Sequence, residues 1–378
     1  MDLSFVVDQG AMARVGPELR AHLRRLITSQ RVLRTTGPGN EIPFYLCPFA
    51  PEDQVRMEEE CRLLIGELEG DGVPVLEINL YDLMIGLLRE QLDWEELAAF
   101  ERALEVGVST LEMDVAVTAD GVAVVSHEPA LFEAIARDAQ GQWLSVRGPQ
   151  IRSLTLAQVQ AYDVGRLNPA HAYGRQFPEQ GPRDGQRIPT LASVFALVKA
   201  LGATDVQFNV ETKVYPNRPD DTVTPEAFVE VLLATIRDAG MARRVIVQSF
   251  DWRTLALVHQ REPGLRTACL TTQGRNFNTL ADGSWTAGRR LVDYPSVAHL
   301  VKAAGCSIWS PAFTDLEPHA VQGAQALGLQ VIPWTVNSPA DMDRLIGWGV
   351  DGLITDYPDR GRAAMRQRAL VLPRALKN

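Results

Sequence analysis

Three carboxylates, a lysine and a histidine stand out for their types and spacing. Glu112 and Asp114 are two residues apart in "TLEMDVAV", and Glu211 and Lys213 are two apart in "FNVETK". Residues i and i+2 of a strand project to the same side. Acids that face an apolar interior are costly unless a cation pairs with them. Inward-facing Glu112 and Asp114 at the C-terminal end of a barrel strand therefore predict an oxygen-ligand pair for Ca2+ or Mg2+. The other reading of these two residues is an exposed strand face with solvated acids. Glu211 ends the next apolar strand, and neighbouring strand ends converge on one rim of a barrel, which favours the metal. Lys213 is placed to reach a phosphate oxygen, or to form a salt bridge with Glu211. His127 closes an apolar run, "VAVVSH", just before "EPAL". There it can serve as an acid or base beside the metal.

The elements that must position these groups follow from periodicity. "LAAFERALEVGV" (97–108) is an amphipathic helix with Leu97, Phe100 and Leu104 on one face. After it come "TLEMDVAV", "VQFNVETK" (206–213), "RVIVQSF" (244–250), "RTACLTT" (266–272), "SIWSPAF" (307–313), "QVIPWTVN" (330–337) and "GLITD" (352–356), several of them separated by helical patterns. Repeated β-α units of this length predict a (β/α) barrel. Seven parallel strands are expected where such a barrel has eight. "VAVVSH" (122–127) does not supply the eighth, because "TADG" is too short for a parallel crossover and reads as a hairpin turn.

Residues 1–95 have a different texture. "FYLCPF" (44–49) and "VPVLEINLY" suit strands, and each precedes a helical pattern, which predicts a βαβα segment. The chain has 378 residues with 46% hydrophobic and 22% charged, as in a soluble globular protein. A net charge of −10 disfavours a nucleic-acid partner. A small anion held through a metal ion stays possible. The N-terminus reads neither as a secretory signal nor as a membrane span. Cys47, Cys61, Cys269 and Cys306 are far apart in sequence, so no disulfide and no zinc site are expected, and a cytoplasmic setting fits. Oligomeric state is open.

"LAAFERALEVGVSTLEMDVAVTADGVAVVSHEPAL" resembles the glycerophosphodiester phosphodiesterase family. The similarity continues through "IRSLTLAQVQAYDVG", "RIPTLASVFAL", "NVETK", "VQSFDWRTL" and "VIPWTVNSPADMDRLIGWGVDGLITDYPD", over roughly residues 97 to 365. The resemblance implies a TIM barrel that hydrolyses glycerophosphodiesters to an alcohol and glycerol 3-phosphate with a divalent metal. It implies that Glu112, Asp114 and Glu211 are the metal carboxylates, His127 the second catalytic histidine and Lys213 a phosphate-side lysine. Phe250 and Trp334 take family aromatic positions near the pocket, for substrate contact or for barrel packing.

The family's opening strand, which ends in His-Arg-Gly, has no counterpart. None of the six histidines (His22, His127, His171, His259, His299, His319) is followed by Arg-Gly. Instead, about residues 20–95 resemble the N-terminal half of the small B component of bacteriophage-exclusion (BREX) defence systems, most closely at "NEIPFYLCPFAPEDQ" and "VLEINLYDL". The expected organisation is a βαβα segment over 1–95, an α/β, TIM-type (β/α)8-like barrel lacking its usual first strand over 96–365, and a tail over 366–378. A natural fusion, a recombination product and a constructed chimera all fit. The expected activity is a metal-dependent hydrolase impaired by loss of one histidine. The alternatives are a non-catalytic phosphate- or partner-binding protein and a defence component.

Overall fold

Polar residues fall at every second position of "TLEMD" and "QFNVE", and that alternation sets the inward faces of two neighbouring strands. The computed structural model describes residues 97–177 and 180–376. The expected βαβα segment, the fusion point and the BREX-like similarity lie outside the described residues. Helix α1 (Ala98–Val106) buries Leu104 and is preceded by buried Leu97, while Phe100 is half-buried. Strand β1 (Thr110–Val117) then turns through Thr118–Val122 into β2 (Ala123–Val125), its antiparallel partner. Gly121 takes φ +77°, which favours glycine, and its N–H closes the turn on Thr118 O. The hairpin expectation holds.

Parallel strands follow β1: β3 (Gln207–Thr212), β4 (Val245–Ser249), β5 (Arg266–Thr271), β6 (Ile308–Pro311) and β7 (Gln330–Val331). The sheet order is β2-β1-β3-β4-β5-β6-β7. Helices α2 (Leu156–Val159), α3 (Leu191–Ala200), α4 (Pro225–Asp238), α5 (Trp252–Arg261), α6 (Val297–Ala303), α7 (Pro318–Ala326), α8 (Pro339–Gly347) and α9 (Pro358–Gln367) complete the order. From α3 to α9 strands and helices alternate, apart from the irregular 352–356, as in a TIM-type barrel. Side-chain caps start several of the helices at the strand-to-helix junctions. Thr224, Asp251, Ser296 and Ser338 each accept a backbone N–H of the first turn.

Phe208 of β3 meets Phe195 of α3 edge-on with ring centres 4.8 Å apart, which marks the outward face of the strand. Phe208 and Val210 therefore face helices, and Asn209 and Glu211 face the barrel interior. The interior is two-sided. Ile246, Ala268, Ile308 and Ile332 form an apolar cluster beneath β4 to β7. Glu112, Asp114, Asn209, Glu211 and Gln248 make the β1–β3–β4 side polar.

A long excursion between β2 and α3 builds a satellite core, in which Ala116, Val124, Leu131, Ala136, Ile151, Val159 and Ile188 are buried together. Arg137 ties it by ion pairs of 2.5 Å to both Asp163 and Asp184.

Two expectations need correction. "GLITD" (352–356) forms no regular strand, and β7 covers only two residues of the expected 330–337. Ile354 N–H donates to Pro333 O (3.0 Å), and Ile354 O accepts from Val336 N–H (2.8 Å). A regular parallel bridge would use residue 335 for the second bond, so one extra residue bulges the ladder. Pro333 also has no N–H to offer. The segment thus lies beside β7 without joining it in register. Among the described residues no backbone hydrogen bond joins β1 to 352–356. The second correction concerns the cysteines. Cys269 and Cys306 form a disulfide, with Cα atoms 5.9 Å apart and a sequence separation of 37. Pairing of β5 with β6 brings the two together, and spacing along the chain does not reveal that. No helix among the described residues is long and apolar enough to cross a membrane.

Candidate functional site

The register of the first three parallel strands assembles the acids. Asp114 lies opposite Glu211, Glu112 opposite Asn209, and Glu211 opposite Gln248. Each residue shares its strand's inward parity, so the side chains must meet. Glu112, Asp114 and Glu211 each offer an oxygen within 4.8 Å of the others. Glu211 is buried, and the other two are half-buried. An exposed face of solvated acids is not what the strand presents.

Lys213 follows Glu211 on the same side, and its Nζ is 3.1 Å from Asp114 Oδ1 and 3.1 Å from Glu211 Oε1. The alternative reading of Lys213, a salt bridge to Glu211, is present, and it includes Asp114 as well. Two of the three carboxylates therefore contact this one ammonium. Burial pushes Glu112 up to about 8, and the charge of Asp114 adds to that, while Lys213 and a hydrogen bond from Gln248 oppose it. Burial raises Glu211 well above the usual carboxylate range, against the pull of Lys213. Lys213 is raised because Glu211 and Asp114 outweigh the cost of its own burial. The site is short of positive charge, and its free donors are hard carboxylate oxygens. That donor set fits a hard divalent cation.

His127 does not sit among the acids in the same way. It follows Ser126, whose N–H bonds Asp114 O at 2.9 Å, so it begins at the rim beside the cluster. Its imidazole is exposed and lies 3.0 Å from Glu128 Oε1. That hydrogen bond lowers Glu128, ahead of the opposing effect of its partial burial.

Phe250 and Trp334 are both half-buried, with ring centres 5.2 Å apart at 88°. They extend into a wall at the C-terminal strand ends. Phe277 is 5.5 Å from Phe250 and 5.2 Å from Trp285, and Tyr215 is 6.3 Å from Trp285. Barrel packing accounts for the edge-to-face contacts, and Phe277 stays 42% exposed, so the wall also faces outward.

Four further residues belong to this neighbourhood, and the sequence reading does not single them out. Gln248 Nε2 donates to Glu112 Oε1 at 2.6 Å, and Asn209 Nδ2 donates to Gln248 Oε1 at 2.7 Å. Asp356 accepts from Asn337 Nδ2 at 2.7 Å and adds to the negative field at Glu112. Burial raises the phenol of Tyr173, helped by Asp356, Glu128 and Asp114. Gln248 and Asn209 do carry a sequence signal: each is a polar residue interrupting an apolar strand. Asp356 and Tyr173 carry none, because separate elements bring them in.

Residues 95–360 match the model of the glycerophosphoryl diester phosphodiesterase family. The glycerophosphodiester phosphodiesterase of Caldanaerobacter subterraneus is 30% identical over 263 residues, covering 70% of this chain and 88% of that protein. One from Bacillus subtilis is 27% identical over 272 residues, covering 70% and 78%. A crystal structure from Silicibacter pomeroyi, assigned as a glycerophosphoryl diester phosphodiesterase, is 34% identical with a TM-score of 0.65, covering 73% of this chain and 89% of its own. A phosphodiesterase from Oleispira antarctica, solved with the product sn-glycerol-3-phosphate, is similar in fold (17% identity, TM-score 0.51, covering 71% and 90%).

Proposed function

The chain belongs to the glycerophosphoryl diester phosphodiesterase family, and from that membership we propose that its acidic rim binds glycerophosphodiesters and hydrolyses them slowly to an alcohol and glycerol 3-phosphate. The observation that carries this reading is the convergence of Glu112, Asp114 and Glu211 around a space short of positive charge. In it, those three carboxylates hold Ca2+ or Mg2+. When bound, the cation polarises the phosphoryl oxygens and offsets their charge. Lys213 offsets the repulsion between Asp114 and Glu211 and offers an ammonium to a phosphate oxygen. Phe250 and Trp334 line the approach.

His127 supplies proton transfer at the rim, with Glu128 orienting the ring. A glycerophosphodiesterase of this kind needs a second proton-transfer group, and no histidine here is followed by Arg-Gly. Loss of one member of an acid–base pair costs about 10²- to 10⁴-fold in rate. Phosphate binding needs no proton transfer, so it survives better than turnover. That imbalance also favours a second reading, in which the barrel binds phosphate or a partner without turnover. The resemblance of about residues 20–95 to a BREX component extends this second reading to a defence role.

The test is release of glycerol 3-phosphate from glycerophosphocholine with Ca2+ or Mg2+ and with chelator, for the full chain and for a version given a His-Arg-Gly strand. Weak metal-dependent release that rises in the restored version supports hydrolysis. Release that is absent in both versions supports the binding reading.

A further inference from the structure

Gln248 is 1% exposed on β4, on the inward face it shares with Ile246. Ile246 packs with Ala268 and Ile308, so an apolar residue at 248 would extend that cluster. A buried amide stands there instead, and both its ends are engaged. Nε2 donates to Glu112 Oε1, and Oε1 accepts from Asn209 Nδ2. The chain of bonds crosses three neighbouring strands, from β3 to β4 and over to β1.

Its direction is set by chemistry. A Glu112 carboxylate that ligates a cation is ionised and only accepts, so in that state Gln248 must turn its NH2 to Glu112, as it does, and its carbonyl to Asn209. Asn209 must then give its NH2 to Gln248. The consequence is visible in Asn209 Oδ1, which is buried and has no hydrogen-bond partner. An unpaired buried acceptor is costly. The fold therefore keeps the direction of the relay at the expense of Asn209's own bonding, which packing alone would not require.

We propose that Gln248, held in place by Asn209, is a positioning residue for cation uptake: it pins one oxygen of Glu112 and leaves the other for the space shared with Asp114 and Glu211. This rests on the reading that those three carboxylates hold a divalent cation. Gln248 touches neither substrate nor cation in this role.

Calorimetric titration of the full chain with CaCl2 and MgCl2 tests it. Gln248→Met keeps the volume and removes the donor, and Asn209→Leu removes the second link. Gln248→Met weakens cation binding about tenfold, the scale of one hydrogen bond to a charged group. Asn209→Leu weakens it about threefold. Coupled residues are not additive, so the double variant binds no more weakly than Gln248→Met alone. Melting of the cation-free protein is measured in parallel, because a residue that only packs lowers the melting temperature and leaves the affinity unchanged. Unchanged affinity in Gln248→Met, or additive losses in the double variant, overturns the relay. If Gln248→Met does not fold, unchanged affinity in Asn209→Leu overturns it. Absence of cation binding by the unaltered chain overturns the cation site and the relay with it.

Discussion

Asp114 and Glu211 face one another across β1 and β3 as register partners, and Lys213 stands 3.1 Å from each. The pairing forces two carboxylates onto the same interior face and places the ammonium between them. The site is therefore an ionic cluster whose members depend on one another.

Removing the ammonium should reveal that dependence. Lys213→Met leaves the carboxylates uncompensated, and losing one partner of a buried ion pair costs about 3–5 kcal/mol. The variant is expected to melt lower than the unaltered chain without metal. Added Ca2+ should recover more of the melting temperature in the variant, because no ammonium competes for the oxygens. Glycerol 3-phosphate affinity should fall at the same time. Equal Ca2+ effects on both proteins would count against the cluster.

Among the described residues no lysine or arginine lies at contact distance from Glu112, which takes a hydrogen bond from Gln248. Glu112→Gln removes one anionic ligand and is expected to weaken Ca2+ or Mg2+ binding at least tenfold. Glu230→Gln, which alters an exposed ion pair with Arg261, serves as the control. Equal small effects in calorimetry would remove Glu112 from the site.

The satellite core carries its own pH signature. Asp184 is held at about 2 by hydrogen bonds from Arg166 and Arg137. Asp163, despite some burial, is lowered by backbone N–H groups of Gly185 and Gly165 and by Arg137. Carboxylates whose folded pKa lies below the unfolded value stabilise above the unfolded pKa, and that contribution is lost as pH falls through the folded one. Stability should thus fall between about pH 4 and pH 2. Asp163→Asn should be less stable at pH 7 and flatter across that window. Urea unfolding at several pH values reads both, and parallel curves for the two proteins would refute the assignment.

Reduction should loosen the sheet. A disulfide closing a loop of this length contributes about 3–4 kcal/mol in the chain-entropy account. Treatment with a reductant should lower the melting temperature by several degrees, and a Cys306→Ser variant should show no further response to it. An unaltered chain whose melting is insensitive to reductant would show that the bridge contributes nothing.

Much of the barrel was legible in the sequence. β1, β3, β4, β5 and β6 fall within a residue or two of the expected ranges, because their apolar runs are bounded by turns and caps. The carboxylates and Lys213 were legible for the same reason, since i and i+2 spacing on a strand fixes a shared side. The rest depends on relations between elements. The bulge at Pro333–Val336 arises from how 352–356 meets β7. The Cys269–Cys306 bridge depends on β5 lying beside β6. The exposed position of His127 depends on how the hairpin ends, and an apolar run before a histidine does not reveal that.

The central claim is that a divalent cation on Glu112, Asp114 and Glu211 recruits a glycerol phosphate. Titration of the full chain with sn-glycerol 3-phosphate, in saturating Ca2+ and again after chelation, tests it most directly. Saturable binding is expected with Ca2+, with at least a tenfold loss of affinity without it. Equal affinity in both conditions, or no binding in either, would contradict it.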